Sequence, residues 1–155
     1  MKTGSGVYSL VLRVSRRTRI KVGGLGSISF PAGHYVYVGS ALGRGSSGLQ
    51  DRIGRHLKKD KHLRWHIDFL LNAREVAVVA AVYSETRSPA ECALSKALCG
   101  RSDIVAKGFG SSDCKAGCPS HLHYFAGASP EEVLAILEEA YYGLGLRSEI
   151  GRYIK

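Results

Sequence analysis

Two stretches decide the fold: Gly6 to Val14, GVYSLVLRV, and His34 to Ser40, HYVYVGS. Both are short, apolar and rich in β-branched and aromatic residues, the composition of strands that sit inside a sheet. Between them, Arg17 to Val22 reads as a hairpin partner of the first strand. Gly23-Gly24-Leu25-Gly26 reads as a turn, and Ser27 to Phe30 as a short strand ended by Pro31. Downstream the period changes. Leu49, Ile53 and Leu57 recur at helical spacing, so Leu49 to Lys58 reads as a helix, and a second helix is expected over Leu63 to Asn72. Glu75 to Ser84 is a strand whose continuous apolar run implies cover on both faces. Ser88-Pro89-Ala90-Glu91 has the pattern of a capping box and predicts a helix from Pro89 to about Cys99. Gly100 to Ser120 reads as a loop, His121 to Ala126 as a strand, and Ser129 opens a last helix running to about Tyr142. The expected class is α/β: a small central antiparallel sheet, a β-meander with an inserted hairpin, flanked by helices.

The 155 residues suit a single domain, 1–155, able to bury its own core. The longest apolar run, Val76 to Tyr83, is strand-sized and far short of a membrane span. The N-terminus enters the first strand without a signal-peptide core, so a cytoplasmic location is expected. In that compartment Cys92, Cys99, Cys114 and Cys118 read as thiols or metal ligands rather than disulfides.

Charge is distributed unevenly. Residues 1–74 hold 14 Lys/Arg against 3 Asp/Glu, a net of +11, whereas residues 75–155 hold 8 against 10, a net of −2, which recovers the overall +9. A basic half on a globular domain favours a polyanionic partner, because each neutralised phosphate releases counterions. Nucleic acid is therefore expected, DNA ahead of RNA, and a membrane is not. Arg44 in the loop 43–48, then Arg55, Lys58, Lys59, Lys61 and Arg64, make the candidate phosphate-tracking surface. The early hairpin, with Arg16, Arg17, Arg19 and Lys21, could extend it.

Gly6-Val7-Tyr8 and Tyr37-Val38-Gly39 resemble the two tripeptides that name the GIY-YIG nucleases. Leu49-x-x-Arg52-x-x-x-His56 is similar to that family's Arg-bearing helix, and Glu91 stands where the family opens a helix with a metal-binding glutamate. YVYVGSA at 35–41, WHIDFLL at 65–71, GFGSSDC at 108–114 and SHLHYF at 120–125 resemble the archaeal-type, Uri-superfamily endonuclease branch. The 28 positions between Tyr8 and Tyr37 exceed the usual family spacing. A hairpin inserted at about Arg16 to Phe30 would absorb the excess and leave the two strands adjacent. Ser40 stands where many relatives carry Lys or Gln.

The resemblance implies a divalent-metal-dependent endonuclease using one Mg²⁺ or Mn²⁺ ion. Glu91 would hold the ion, Arg52 would brace the scissile phosphate, and Tyr8, with Tyr37 and His56 beside it, would orient or deprotonate the attacking water. Those residue types suit the task, because the pentavalent phosphate gathers negative charge that a guanidinium fork and a metal can meet. A tyrosine acting as a base at neutral pH needs positive charge nearby to lower its pKa, and Arg52 and the metal could supply it. Read from the residues alone, Glu91 has a complete structural role as a capping-box glutamate, and Tyr8 and Tyr37 one as aromatic neighbours on a sheet. The competing function is a catalytically inactive nucleic-acid-binding module of the same fold. A third reading, a zinc-bearing RNA-processing factor, draws on Cys114, Cys118, His121 and His123, which could form a zinc site, though their spacing is cramped.

Overall fold

The computed structural model describes residues 4–41, 48–58, 60–111, 114 and 117–152. Arg44 and Lys59, with the rest of the glycine loop at 42–47, lie outside the described residues. A five-stranded antiparallel sheet forms the centre. Its strands are β1 (Gly6–Val14), β4 (Gly33–Ala41), β5 (Val76–Glu85), β6 (Leu122–Phe125) and β7 (Glu149–Arg152), in the order β6-β4-β1-β5-β7. Between β1 and β4 the chain forms a separate two-stranded hairpin, β2 (Thr18–Lys21) and β3 (Ser27–Phe30). The inserted hairpin of the sequence reading is therefore present, and β1 and β4 are direct neighbours. The pairing of β2 with β1 is not: β2 bonds β3 instead, because both sides of β1 are occupied by β4 and β5.

Among the described residues the α-helices are α1 (Leu49–Leu57), α2 (His66–Leu71), α3 (Glu91–Cys99) and α4 (Pro130–Gly143). Two cores lie on opposite faces of the sheet. Tyr8, Leu10, Leu12, Tyr35 and Tyr37 pack under Leu49 and Ile53 of α1 and Ile67, Leu70 and Leu71 of α2. Val7, Val11, Val36 and Val38 pack under Leu94 and Leu98 of α3 and Val133, Leu134, Leu137 and Tyr141 of α4. Covering both faces explains why β5 reads as a continuous apolar run rather than as alternation. Each fully buried Leu or Val contributes roughly 1.5–3 kcal/mol.

Three elements differ from expectation. In α1 the buried positions are Leu49, Ile53 and His56, while Leu57 is 37% exposed; the helix turns its histidine, not its last leucine, onto the sheet. The second helix is confined to His66–Leu71, since the chain before it runs extended into Trp65. The third helix starts at Glu91, with Ala90 as a cap residue that makes no side-chain bond, so the Ser88 capping box does not form. Ser129 forms the same motif in full: its hydroxyl accepts from Glu132 N–H, and Glu132 accepts from Ser129 N–H. Strand β7 was not anticipated.

Candidate active site

Strand β6 pairs with β4 only over residues 34–37, and one further bond, Val38 N–H to His121 C=O, extends it. Beyond that point the edge of β4 is open, and a cleft of about 370 Å³ forms there. It is lined by Tyr8, Tyr37, Gly39, Ser40, Arg52, Arg64, Trp65, His66, Glu91, Cys92, Gly110, Cys114 and His121. Tyr8 from β1, Arg52 from α1 and Glu91 from α3 thus open on one space.

Tyr8 is placed there by register. It sits opposite Gly39, and an added Cβ at Gly39 would stand 2.5 Å from the phenol ring. The glycine of the second tripeptide is a close-packing position for the tyrosine of the first. Tyr37 lies diagonally from Tyr8 on the same face, is 8% exposed and packs edge-on against Phe109. Burial, and next the neighbouring Tyr37, push the Tyr8 pKa well above its usual value, and the lowering effect of Arg52 does not outweigh them. Tyr37 is shifted upward as well, first by burial. Arg52 by itself therefore does not lower the Tyr8 pKa enough for a base, and Tyr8 is a neutral phenol. Its hydroxyl lies 2.7 Å from Nε2 of His56, whose other ring nitrogen has no hydrogen-bond partner among the described residues. Burial drives the His56 pKa down to about 3, so the ring is neutral.

Arg52 is half-buried. Its Nη1 donates to Ser40 C=O at 3.1 Å, and its guanidinium lies 4.9 Å from the centre of the Trp65 ring. Arg64, an exposed residue of the cleft lining, lies 5.5 Å from the same ring. Trp65 is the chain's one tryptophan.

Arg55 serves a different purpose from the one its place in the basic run implies. Its fork donates to both oxygens of the buried Asp68, at 2.8 and 2.9 Å, and to His62 C=O. Asp68 also accepts from the backbone N–H of Arg64 and of Trp65. Burial opposes the carboxylate, yet these donors, Arg55 foremost, hold its pKa below the usual range. Arg55 is a structural clamp on the loop before α2. Lys61 donates to His56 C=O at 3.2 Å, and Lys58 is exposed just past α1. His66, for which spacing suggested no role, accepts from Gly110 N–H at 2.9 Å and fixes the loop against the cleft.

Glu91 is no cap. Ser40 Oγ donates to its Oε1 at 2.8 Å and His121 Nδ1 donates to its Oε2 at 2.8 Å. Ser40 is therefore a polar partner of the glutamate. Burial disfavours a charged His121, but its bond to Glu91 and its contact with Cys114 outweigh that and raise its pKa.

Behind Glu91 one ligand atom each from Cys92, Cys114, Cys118 and His121 lies within 4.8 Å of all the others, a group that could hold a metal ion. The set differs from the sequence expectation in one member. His123 is not part of it: Ser95 Oγ and Ser102 Oγ lie 2.8 and 3.1 Å from its ring nitrogens. Cys92, carried on α3 next to Glu91, takes its place. Nothing in linear spacing marks Cys92, since 21 residues separate it from Cys114. The four cysteines are all described and none is in a disulfide. Burial, with the neighbouring thiols, pushes the Cys92 pKa up to about 12.

The family described as Domain of unknown function DUF123 matches residues 7–143, and the chain belongs to it. No curated protein and no solved structure matches the chain. Among the described residues no helix is long and apolar enough to cross a membrane.

Proposed function

We propose that the chain is a GIY-YIG-type endonuclease of the archaeal-type branch, acting in the cytoplasm, which hydrolyses phosphodiester bonds in DNA with one Mg²⁺ or Mn²⁺ ion. The observation that carries this reading is the convergence of Tyr8, Arg52 and Glu91 on a single cleft from three separate elements. Glu91 is the one carboxylate among the described residues lining that cleft, and each of its oxygens keeps a lone pair beyond the bonds from Ser40 and His121. One carboxylate completed by water and phosphate oxygens suits the coordination habit of Mg²⁺. Such an ion, when bound, supplies Lewis-acid stabilisation of the leaving oxygen. The sulfur-rich group behind Glu91 suits zinc rather than Mg²⁺.

The remaining work falls to the chain itself. Arg52, preset by Ser40 C=O and Trp65, offers its guanidinium to the scissile phosphate. Tyr8, as a neutral phenol backed by His56, orients the attacking water by a hydrogen bond rather than by removing its proton. Arg64, Lys58 and Lys61 meet the flanking phosphates.

The competing reading, a binding module without chemistry, draws on the same carboxylate: Glu91 already holds two partners. Supercoiled, branched and single-stranded DNA, and RNA, incubated with Mg²⁺, Mn²⁺ or EDTA, separate the two. The nuclease reading expects metal-dependent cutting of DNA that is lost in Arg52→Ala and Glu91→Gln while binding survives. Binding without cutting under every metal would establish the binding module instead.

A further inference from the structure

We infer that Cys92, Cys114, Cys118 and His121 bind one zinc ion, and that this ion positions Glu91 through His121. The second half rests on the nuclease reading; the first stands without it.

Three sulfurs and one imidazole are a recurrent structural zinc set. In a tetrahedral site with zinc–sulfur bonds of about 2.3 Å, neighbouring sulfurs stand about 3.8 Å apart. The four ligand atoms already lie within 4.8 Å of one another, so closing on an ion needs only side-chain rotation. His121 is oriented for it. Its Nδ1 hydrogen is given to Glu91 at 2.8 Å, which leaves the Nε2 lone pair facing Cys92 Sγ at 3.9 Å. A carboxylate on the far nitrogen of a ligating histidine is the usual outer partner of a protein-bound zinc.

The ligands also come from the places that most need joining. Cys92 belongs to α3, whereas Cys114, Cys118 and His121 belong to the long segment between α3 and β6. That segment carries Phe109 into the core and Gly110 to the cleft, and among the described residues it is held by bonds such as Gly108 N–H to Pro119 C=O, His121 N–H to Phe109 C=O and Gly110 N–H to His66 Nδ1. Loops of this length without regular structure are uncommon, and ordered ones are usually functional. Zinc would tie the segment to α3 one residue past Glu91, and His121 would pass that rigidity to the carboxylate.

The test starts with untagged protein, its metal content and cobalt exchange. One zinc per chain is expected, lost in Cys92→Ser and Cys118→Ser, and replaced by cobalt with the absorption of a tetrahedral thiolate site. Because serine variants can fail to fold, chelator-stripped unmodified protein is titrated with zinc in parallel and takes up one equivalent. Glu91→Gln keeps the zinc but yields it to a competing chelator with affinity lowered roughly 10–100-fold, the range for losing an outer partner of a metal ligand. Zinc-free protein needs a higher Mg²⁺ concentration for half-maximal cutting than zinc-loaded protein, with DNA affinity unchanged. Failure to retain or take up zinc overturns the site. Zinc bound with equal affinity in Glu91→Gln, or an unchanged Mg²⁺ requirement, overturns the coupling. If no metal supports cutting, the zinc and chelator measurements still decide the site on their own, and only the nuclease reading falls.

Discussion

The Tyr8 hydroxyl lies 2.7 Å from His56 Nε2, and His56 Nδ1 faces no partner among the described residues. One ring nitrogen of a histidine only 2% exposed is thus left unsatisfied whichever tautomer is present. When Nε2 donates, the phenol proton is released to turn into the cleft. Tyr8→Phe keeps the ring that packs on Gly39 and deletes only this hydroxyl. Its cutting rate under single-turnover conditions should fall about 10²-fold with DNA affinity retained, the range for misplacing a reacting group. Its stability in urea should fall by about 1–3 kcal/mol, since His56 then has no partner at either nitrogen. Full activity in Tyr8→Phe would take the phenol out of the reaction.

Arg55 and Arg64 belong to one basic run yet should fail in different assays. Removing the Arg55 fork leaves Asp68 charged and fully buried, which costs about 3–5 kcal/mol when one partner of a buried pair is lost. Arg64 is exposed, and Arg64→Ala should leave the unfolding midpoint unchanged. It should instead weaken DNA binding for all sequences alike and lower the salt slope by about one. Equal loss of stability in the two variants, or no change in salt slope for Arg64→Ala, would contradict this division.

The central strands were legible because β1 and β4 are rich in β-branched and aromatic residues and because burial on both faces leaves its mark on β5 as an apolar run. The Tyr8 and Arg52 positions followed from motif order. The roles of Glu91, Arg55 and Cys92 did not, because each depends on a residue far along the chain. Glu91 carries a local capping signature, and what overrides it is the pull of Ser40 and His121. Arg55 looks like any solvated cation until Asp68 is seen beneath it. Cys92 shares a site with Cys114 only through the return of the chain from α3 to β6. The partner of β2 was misread because sequence neighbours usually pair, and here β5 claims the place beside β1.

Gly39→Ala tests whether the second tripeptide's glycine serves packing. The new methyl would meet the Tyr8 ring at 2.5 Å inside a sheet that cannot give way easily. Overpacking of this kind costs about 1–3 kcal/mol. Because the displaced group is the Tyr8 ring, cutting should drop more steeply than stability, and Gly39→Ala combined with Tyr8→Phe should be no slower than Tyr8→Phe alone. A double variant much slower than either single one would mean that Gly39 acts elsewhere in the cleft.

Acid should destabilise the fold well before its carboxylates titrate. His56 is held neutral with a pKa of about 3 and His123 with one of about 4, in each case by burial, against about 6.5 in the unfolded chain. Between the folded and unfolded values the unfolded state binds more protons, so stability rises with pH there and falls on acidification. Each histidine contributes up to about 1.4 kcal/mol per pH unit across its window. Asp68, whose pKa is lowered in the fold, adds a loss of the same sign at lower pH. His121, whose pKa is raised, acts oppositely and above pH ~6.5, outside this range. Urea unfolding followed from about pH 6.5 to 4.5 should therefore show a steep decline, and His56→Gln, which cannot take up the proton, should flatten it by roughly half. A flat profile in the unmodified protein, or an unaltered slope in His56→Gln, would mean that His56 is already charged in the fold, and Tyr8 would then face a donor rather than a neutral ring.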